Sequence, residues 1–204
     1  MREFSLKRTA QLVAGLLLLA ALTQAVYTSL YLAEAKVPRQ LLWGTEGLIF
    51  VLLVAFAGAA LGQAGRLHLA WSAIMAAAVL NVVQVGVGLT LFGPFFEAAG
   101  NAEALAPVAE SVVAFSFMVY NAAKVLLALA LIAFGADRLG AGSRLLGGAS
   151  IAVGIVALVS NAASMTAGRG VFGELPVAGG SGVLATVLLA VCLLAMRDED
   201  GGVG

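Results

Sequence analysis

Cysteine and histidine are almost missing from this sequence, each present once, as Cys192 and His68. A single cysteine rules out an internal disulfide, and a single histidine rules out paired-histidine haem ligation or a histidine-cluster metal centre. No cofactor and no metal site is therefore expected. Charge is scarce too: Asp, Glu, Lys and Arg make up 11% of the 204 residues, against about 25% in soluble domains. The eleven basic and eleven acidic residues cancel, and no RNA-binding motif is present, so nucleic acid is not an expected partner. Aspartate stays out of every apolar run, since Asp137, Asp198 and Asp200 fall in polar segments. That excludes paired-aspartate intramembrane proteolysis and the aspartate clusters of membrane phosphotransferases.

What remains is 62% hydrophobic, and it is arranged in six long runs at approximately 12–33, 41–62, 68–92, 108–134, 145–167 and 177–196. Each is long enough to cross a bilayer as a helix, because about 20 apolar residues at 1.5 Å each span the hydrocarbon. The expected fold is all-α: a polytopic integral membrane protein, residues 1–204 forming one transmembrane domain, a bundle of six transmembrane helices in the lipid bilayer. The first run follows a basic stretch and contains Thr23-Gln24-Ala25, which resembles a signal-peptidase site. The apolar stretch continues well beyond it, so a retained span is the better reading. In the second run Gly58-x-x-x-Gly62 sets two bare backbone patches on one face, suited to close helix packing. Residues 93–106, with the Phe92, Phe95 and Phe96 cluster, form the longest connection and have room for a short interfacial helix. Pro107 then opens the fourth run at a first-turn position.

Basic residues set the expected orientation. With the N-terminus inside, Arg2, Lys7, Arg8, Arg66, Arg138, Arg144 and Arg197 are cytoplasmic and Lys36, Arg39 and Arg169 are outside, seven against three. All four prolines then fall in or beside outer loops. Both termini are expected to be cytoplasmic and the location to be the cell membrane, that of the bacterial cytoplasm.

Against this background Lys124 is the most expensive residue to place. A central lysine costs about 2.5–3.5 kcal/mol on insertion scales. The thirteen Leu, Ile, Val and Phe residues between Val108 and Phe134 return roughly 4–8 kcal/mol in sum. The run inserts regardless, so a snorkelling lysine without function stays open beside a functional one. Around it, Asn81-Val-Val-Gln84, Asn121-Ala-Ala-Lys124 and Asn161-Ala-Ala-Ser164 share an Asn-x-x-polar pattern at even spacing, 121 − 81 = 40 and 161 − 121 = 40. Residues three apart share a helix face, so three helices each carry one polar stripe that lipid cannot satisfy and that must turn inward. No match supports an inverted repeat of three plus three spans. Gln24 and Glu46 fall at comparable depths on the first two spans, outward of the midplane by roughly 3 and 8 Å. Side chains lean towards their own helix N-terminus, which lifts the lysine stem towards these groups. A direct Lys124–Glu46 pair is marginal by depth, with water or Asn81 and Gln84 as bridges. The candidate pathway comprises Lys124, Asn121, Asn81, Gln84, Glu46, Asn161, Gln24 and Tyr120.

The expected function is a small transporter or channel for an anionic or hydrogen-bonding solute. The alternative is a non-catalytic subunit or sensor docking on a partner membrane protein through small-residue helix faces, with a homo-oligomer or larger membrane complex left open. A wet cavity at Lys124 favours the first, tight packing around it with a broad exposed groove the second. An enzyme has little residue support. Gly179-Gly180-Ser181-Gly182 fits a Gly-x-Ser-Gly protease pattern, but a chain with 25 glycines makes such a match by chance, and His68 is too remote to serve as base. A retinal-type Schiff base on Lys124 is disfavoured by six spans with the lysine in the fourth.

Overall fold

Among the residues that the computed structural model describes, 5–35, 37–173 and 175–196, the chain is helical almost throughout and contains no strand. The helices are α1 (Leu6–Leu32), α2 (Arg39–Gln63), α3 (His68–Thr90), α4 (Phe92–Asn101), α5 (Ala106–Gly140), α6 (Arg144–Ala167) and α7 (Val177–Leu194), with 3-10 turns at Glu103–Leu105 and Arg169–Phe172. Six of them are long and apolar enough to cross a membrane. The exception, α4, has 10 residues and buries none of them. Arg2, Lys36 and Arg197, which enter the charge count for orientation, lie outside the described residues.

Short connections place each long helix beside its neighbour in sequence. Round the bundle the order is α1, α2, α3, α5, α6, α7, and α7 closes the ring on α1. α5 also touches α7 across the ring, besides α3 and α6, which brings its middle turns to the centre. The distribution of side chains inverts that of a water-soluble bundle. Large aliphatics such as Leu22, Leu48 and Leu145 project outward, while Gln24, Glu46, Asn81, Asn121, Lys124 and Asn161 are buried. Such a surface has no counterpart in soluble monomers, where contiguous exposed apolar patches stay small.

Small residues decide which helices come closest. Gly58 and Gly62, expected to form a tight helix contact, do not: a Cβ on Gly62 would meet nothing within 4 Å, and one on Gly58 would only touch the Met75 sulfur at 3.4 Å. The close approach is between α5 and α6 instead. A Cβ on Gly147 would lie 2.6 Å from the Leu139 amide nitrogen and 2.7 Å from the Gly135 carbonyl oxygen, and one on Gly135 would lie 2.8 Å from Ser150 Cβ. These glycines sit in helix, so it is lack of volume, not backbone freedom, that the contact requires.

The same contact accompanies a difference from the hydropathy reading, which ends the fourth run at 134 and opens the fifth at 145. α5 continues past Phe134 to Gly140, and the turn is only Ala141–Ser143. Asp137 is therefore on a helix, not in a loop, and it receives Arg66 from the α2–α3 turn at 2.9 Å. Arg138, 5% exposed, donates through Nη1 to the Ala195 carbonyl at 2.9 Å. A cation at the last turn of α7 satisfies a carbonyl that has no partner within the helix and opposes the negative end of its dipole. Arg138→Ala is expected to lower unfolding stability in detergent by about 2 kcal/mol, with the loss reduced in Arg138→Lys; equal effects of the two would exclude the carbonyl contact as its source.

Candidate functional site

The centre of the ring is occupied by Lys124. Its side chain is 1% exposed, and its stem runs beside Gly182 of α7, where a Cβ would come within 3.0 Å of Lys124 Cδ. The ammonium donates to Gln24 Oε1 of α1 at 2.7 Å and to Thr186 Oγ1 of α7 at 3.3 Å. It also lies 5.2 Å from the centre of the Tyr120 ring, one turn back on α5, within the range of a cation–π contact. An ammonium has three hydrogens and no acceptor, and two oxygens and a ring face surround this one.

Gln24 carries the connection onward. Its Nε2 donates to Glu46 Oε1 of α2 at 2.7 Å. Lysine can only donate and an ionised carboxylate can only accept, so the amide is held in one orientation, oxygen to Lys124 and nitrogen to Glu46. The bridge between the lone interior cation and the acid is therefore Gln24, not Gln84 or Asn81. The lean of the lysine stem towards the N-terminus of α5 accounts for this, because it carries the ammonium past Tyr120 to α1's glutamine. Four helices, α1, α2, α5 and α7, meet in this chain of hydrogen bonds.

The asparagine stripes behave differently. Asn81 donates to the Ala77 carbonyl at 2.9 Å, Asn121 to Phe117 at 2.8 Å and Asn161 to Ala157 at 2.8 Å. All three bonds run to the carbonyl one turn back in the same helix. The recurring pattern is thus one local solution used three times, a side chain bonding its own backbone. Asn161 adds an interhelical bond to the Ala178 carbonyl of α7 at 3.1 Å. Asn81 Oδ1 and Asn161 Oδ1 are buried without a hydrogen-bond partner. Gln84 reaches only Ser116, at 3.4 Å. Of the eight residues singled out from the sequence, the structure joins Lys124, Gln24, Glu46 and Tyr120, and leaves Asn81, Asn121, Gln84 and Asn161 outside the chain.

Thr186 and Gly182 were not legible as members. A threonine is cheap in an apolar helix because its hydroxyl can bond the preceding turn, as Thr186 does to the Gly182 carbonyl at 2.8 Å. The available signal was the pair itself, Gly182 and Thr186 one turn apart on one face. A second omission is aromatic. Tyr27, Trp43 and Phe92 pack in succession, the first pair tilted and the second edge to face, with ring centres 5.4 Å and 5.7 Å apart. Tyr27 follows Gln24 by one turn and Trp43 precedes Glu46 by one turn, so the rings form a layer about 4.5 Å along the axis from the glutamine–glutamate bond. Trp43 lies so close over Gly88 that a Cβ there would fall 2.4 Å from the indole. Beyond it, Arg39 sits 5.8 Å from the indole ring and borders an open depression of about 1140 Å³ formed by the α1–α2 loop.

Ser181, the serine of the protease-like pattern, shares a 2.8 Å hydrogen bond with Ser160 and bonds the Ala178 carbonyl at 3.1 Å. His68 opens α3 at the opposite end. Neither partner of Ser181 is a base, so the arrangement supplies no nucleophile activation. Among the described residues no group of three His, Cys, Asp or Glu side chains is placed to hold a metal ion. No protein-family model, curated protein or solved structure matches the chain; its class rests on six membrane-length helices around a buried charged centre.

Proposed function

We propose that this is a small multi-pass transporter or channel of the cell membrane, both termini cytoplasmic, whose central site around Lys124 receives an anionic or hydrogen-bonding solute and is closed in this conformation. One observation supports this most. Lys124 is wholly enclosed, yet its charge meets the only nearby acid through a neutral amide. A solute oxygen can therefore take the place of Gln24 Oε1 on the ammonium without breaking a direct ion pair. Intramembrane charges of this kind line solute pathways more often than they serve packing alone. In this orientation the Tyr27–Trp43–Phe92 layer closes the outer side and the Arg66–Asp137 pair lies at the inner side.

The second reading, a non-catalytic subunit or sensor, is supported by the tight fit of Gly182 on the lysine stem, which leaves no room beside it. Accessibility separates the two. Cys192→Ser keeps the hydroxyl-type contact to Ser150 and removes the native thiol; Thr186→Cys then reports on the centre. Transport predicts labelling of that cysteine by a membrane-impermeant thiol reagent, at a rate raised about tenfold by Trp43→Ala, an opening step of about 1.4 kcal/mol. A cysteine inert from both sides, with and without Trp43, would leave the subunit reading.

A further inference from the structure

Among the described residues the centre of the bundle holds one cation, Lys124, and one carboxylate, Glu46, with the Tyr120 phenol ring beside the ammonium; the other buried cation, Arg138, bonds the Ala195 carbonyl at the end of α7. Glu46 is 6% exposed and Lys124 is 1% exposed, and Gln24 links the two at 2.7 Å on either side. Facing Glu46 are Gln24 of α1, which donates to it, and beyond that amide Lys124 and Tyr120 of α5. α3, which packs against α2, carries a single ionisable residue, His68, at its N-terminal end. On its own helix Arg39 is exposed, beyond the Trp43 ring. The centre is therefore neutral as a unit when Lys124 and Glu46 are both ionised.

That balance constrains what can enter. Isolated charge in a low-dielectric interior costs several kcal/mol even after relaxation. An anion that replaces Gln24 Oε1 on the ammonium brings the centre to a net negative charge unless one carboxylate is neutralised at the same time. Among the described residues Glu46 is the only carboxylate present there. Protonating it restores neutrality, and its new O–H finds an acceptor in the Gln24 amide oxygen that the anion has displaced, once the amide turns over. We propose, resting on the transport reading above, that the site binds a small monovalent anion together with one proton, which Glu46 accepts. The anion and the proton come from the same aqueous side and leave together, so the loaded and empty centres are both neutral. A neutral solute needs no such partner, and a monovalent cation would have to displace the lysine proton.

Binding linkage tests this directly in the purified full-length protein, with chloride, nitrate, acetate and methanesulfonate as probes. Titration calorimetry in two buffers of different ionisation enthalpy reads the protons taken up for each anion bound. The expected result is uptake approaching one proton, an affinity that falls tenfold for each unit of rising pH where Glu46 is ionised in the empty site, and uptake near zero in Glu46→Gln. Glu46→Asp keeps a carboxylate and is expected to keep the uptake, which covers the case in which the glutamine variant does not fold. An anion that binds to the wild type with no proton uptake overturns the coupling and leaves the anion site standing. Uptake that persists unchanged in a folded Glu46→Gln overturns Glu46 as the acceptor. If none of the four anions binds, while Thr186→Cys is still labelled from water, the anion proposal fails and the pathway reading survives; failure of both removes the pathway as well.

Discussion

Replacing Lys124 with methionine is expected to cost about 3–5 kcal/mol of unfolding free energy, the usual consequence of leaving one member of a buried charge pair without the other. Methionine keeps the length of the stem beside Gly182, so little of this loss comes from packing. Glu46→Gln is expected to cost less, about 1–3 kcal/mol, because the ammonium keeps Gln24, Thr186 and the Tyr120 face. The double variant Lys124→Met/Glu46→Gln should recover to within about 1–2 kcal/mol of the wild type, since neither charge is then stranded. Equilibrium unfolding in mixed micelles yields all four corners of the cycle. The two residues do not touch, so strict additivity of the single losses would mean that Gln24 transmits nothing between them, and the four-helix joint would reduce to separate contacts. In vesicles the same Lys124→Met variant should abolish solute flux, and Lys124→Glu should invert any ion preference. Unaltered flux in both would move the pathway elsewhere.

The second large effect belongs to the α5–α6 contact. Gly147→Ala places a methyl where the backbone of Leu139 and Gly135 already stands, at 2.6 to 2.8 Å. Backbone cannot rotate aside as a side-chain end can, so the helices must separate. The expected cost is about 2–3 kcal/mol for alanine, with Gly147→Leu failing to yield a folded protein. Gly62→Ala is the paired control. With open space around it, this change should be neutral or stabilise by up to about 1 kcal/mol, because alanine favours helix over glycine. A scan of melting temperatures suffices. If Gly147→Ala melted with the wild type while Gly62→Ala fell sharply, the helix pair carrying the tight contact would have been misplaced.

These two sites also mark how far the sequence could be read. Six long apolar helices follow from run length alone, because hydrophobic thickness and helical rise leave no other solution. Their order round the ring follows nearly as directly from the short connections. The charged centre was legible through cost: Lys124, Glu46 and Gln24 are the side chains that lipid cannot satisfy, and their depths pointed to one cluster. The identity of the bridge was not legible, since it turns on a rotation of α1 that its weakly sided, mostly apolar sequence does not record. The asparagine stripes misled for a related reason. A polar side chain in a span has two outlets, a neighbouring helix or its own preceding turn, and Asn81 and Asn121 take the second. Glycine spacing was similarly ambiguous: Gly58 and Gly62 have the pattern of a tight interface, whereas Gly135 and Gly147, on separate helices, form one without any spacing rule to reveal it.

The hydrogen bond from Lys124 to Gln24 joins residues 100 positions apart, and this has a consequence for how the chain is made. The α1–α2 hairpin can pair Gln24 with Glu46 as soon as both helices have left the ribosome. The cation that balances this acid arrives only with α5, and the Thr186 hydroxyl that completes its surroundings only with α7. During synthesis the growing bundle therefore holds an acid without its counter-charge until most of the chain has been inserted, a state that favours the protonated carboxyl. A fragment ending after α3 is an unfinished object with a chemical mark of its incompleteness, a buried acid whose cationic partner has yet to arrive.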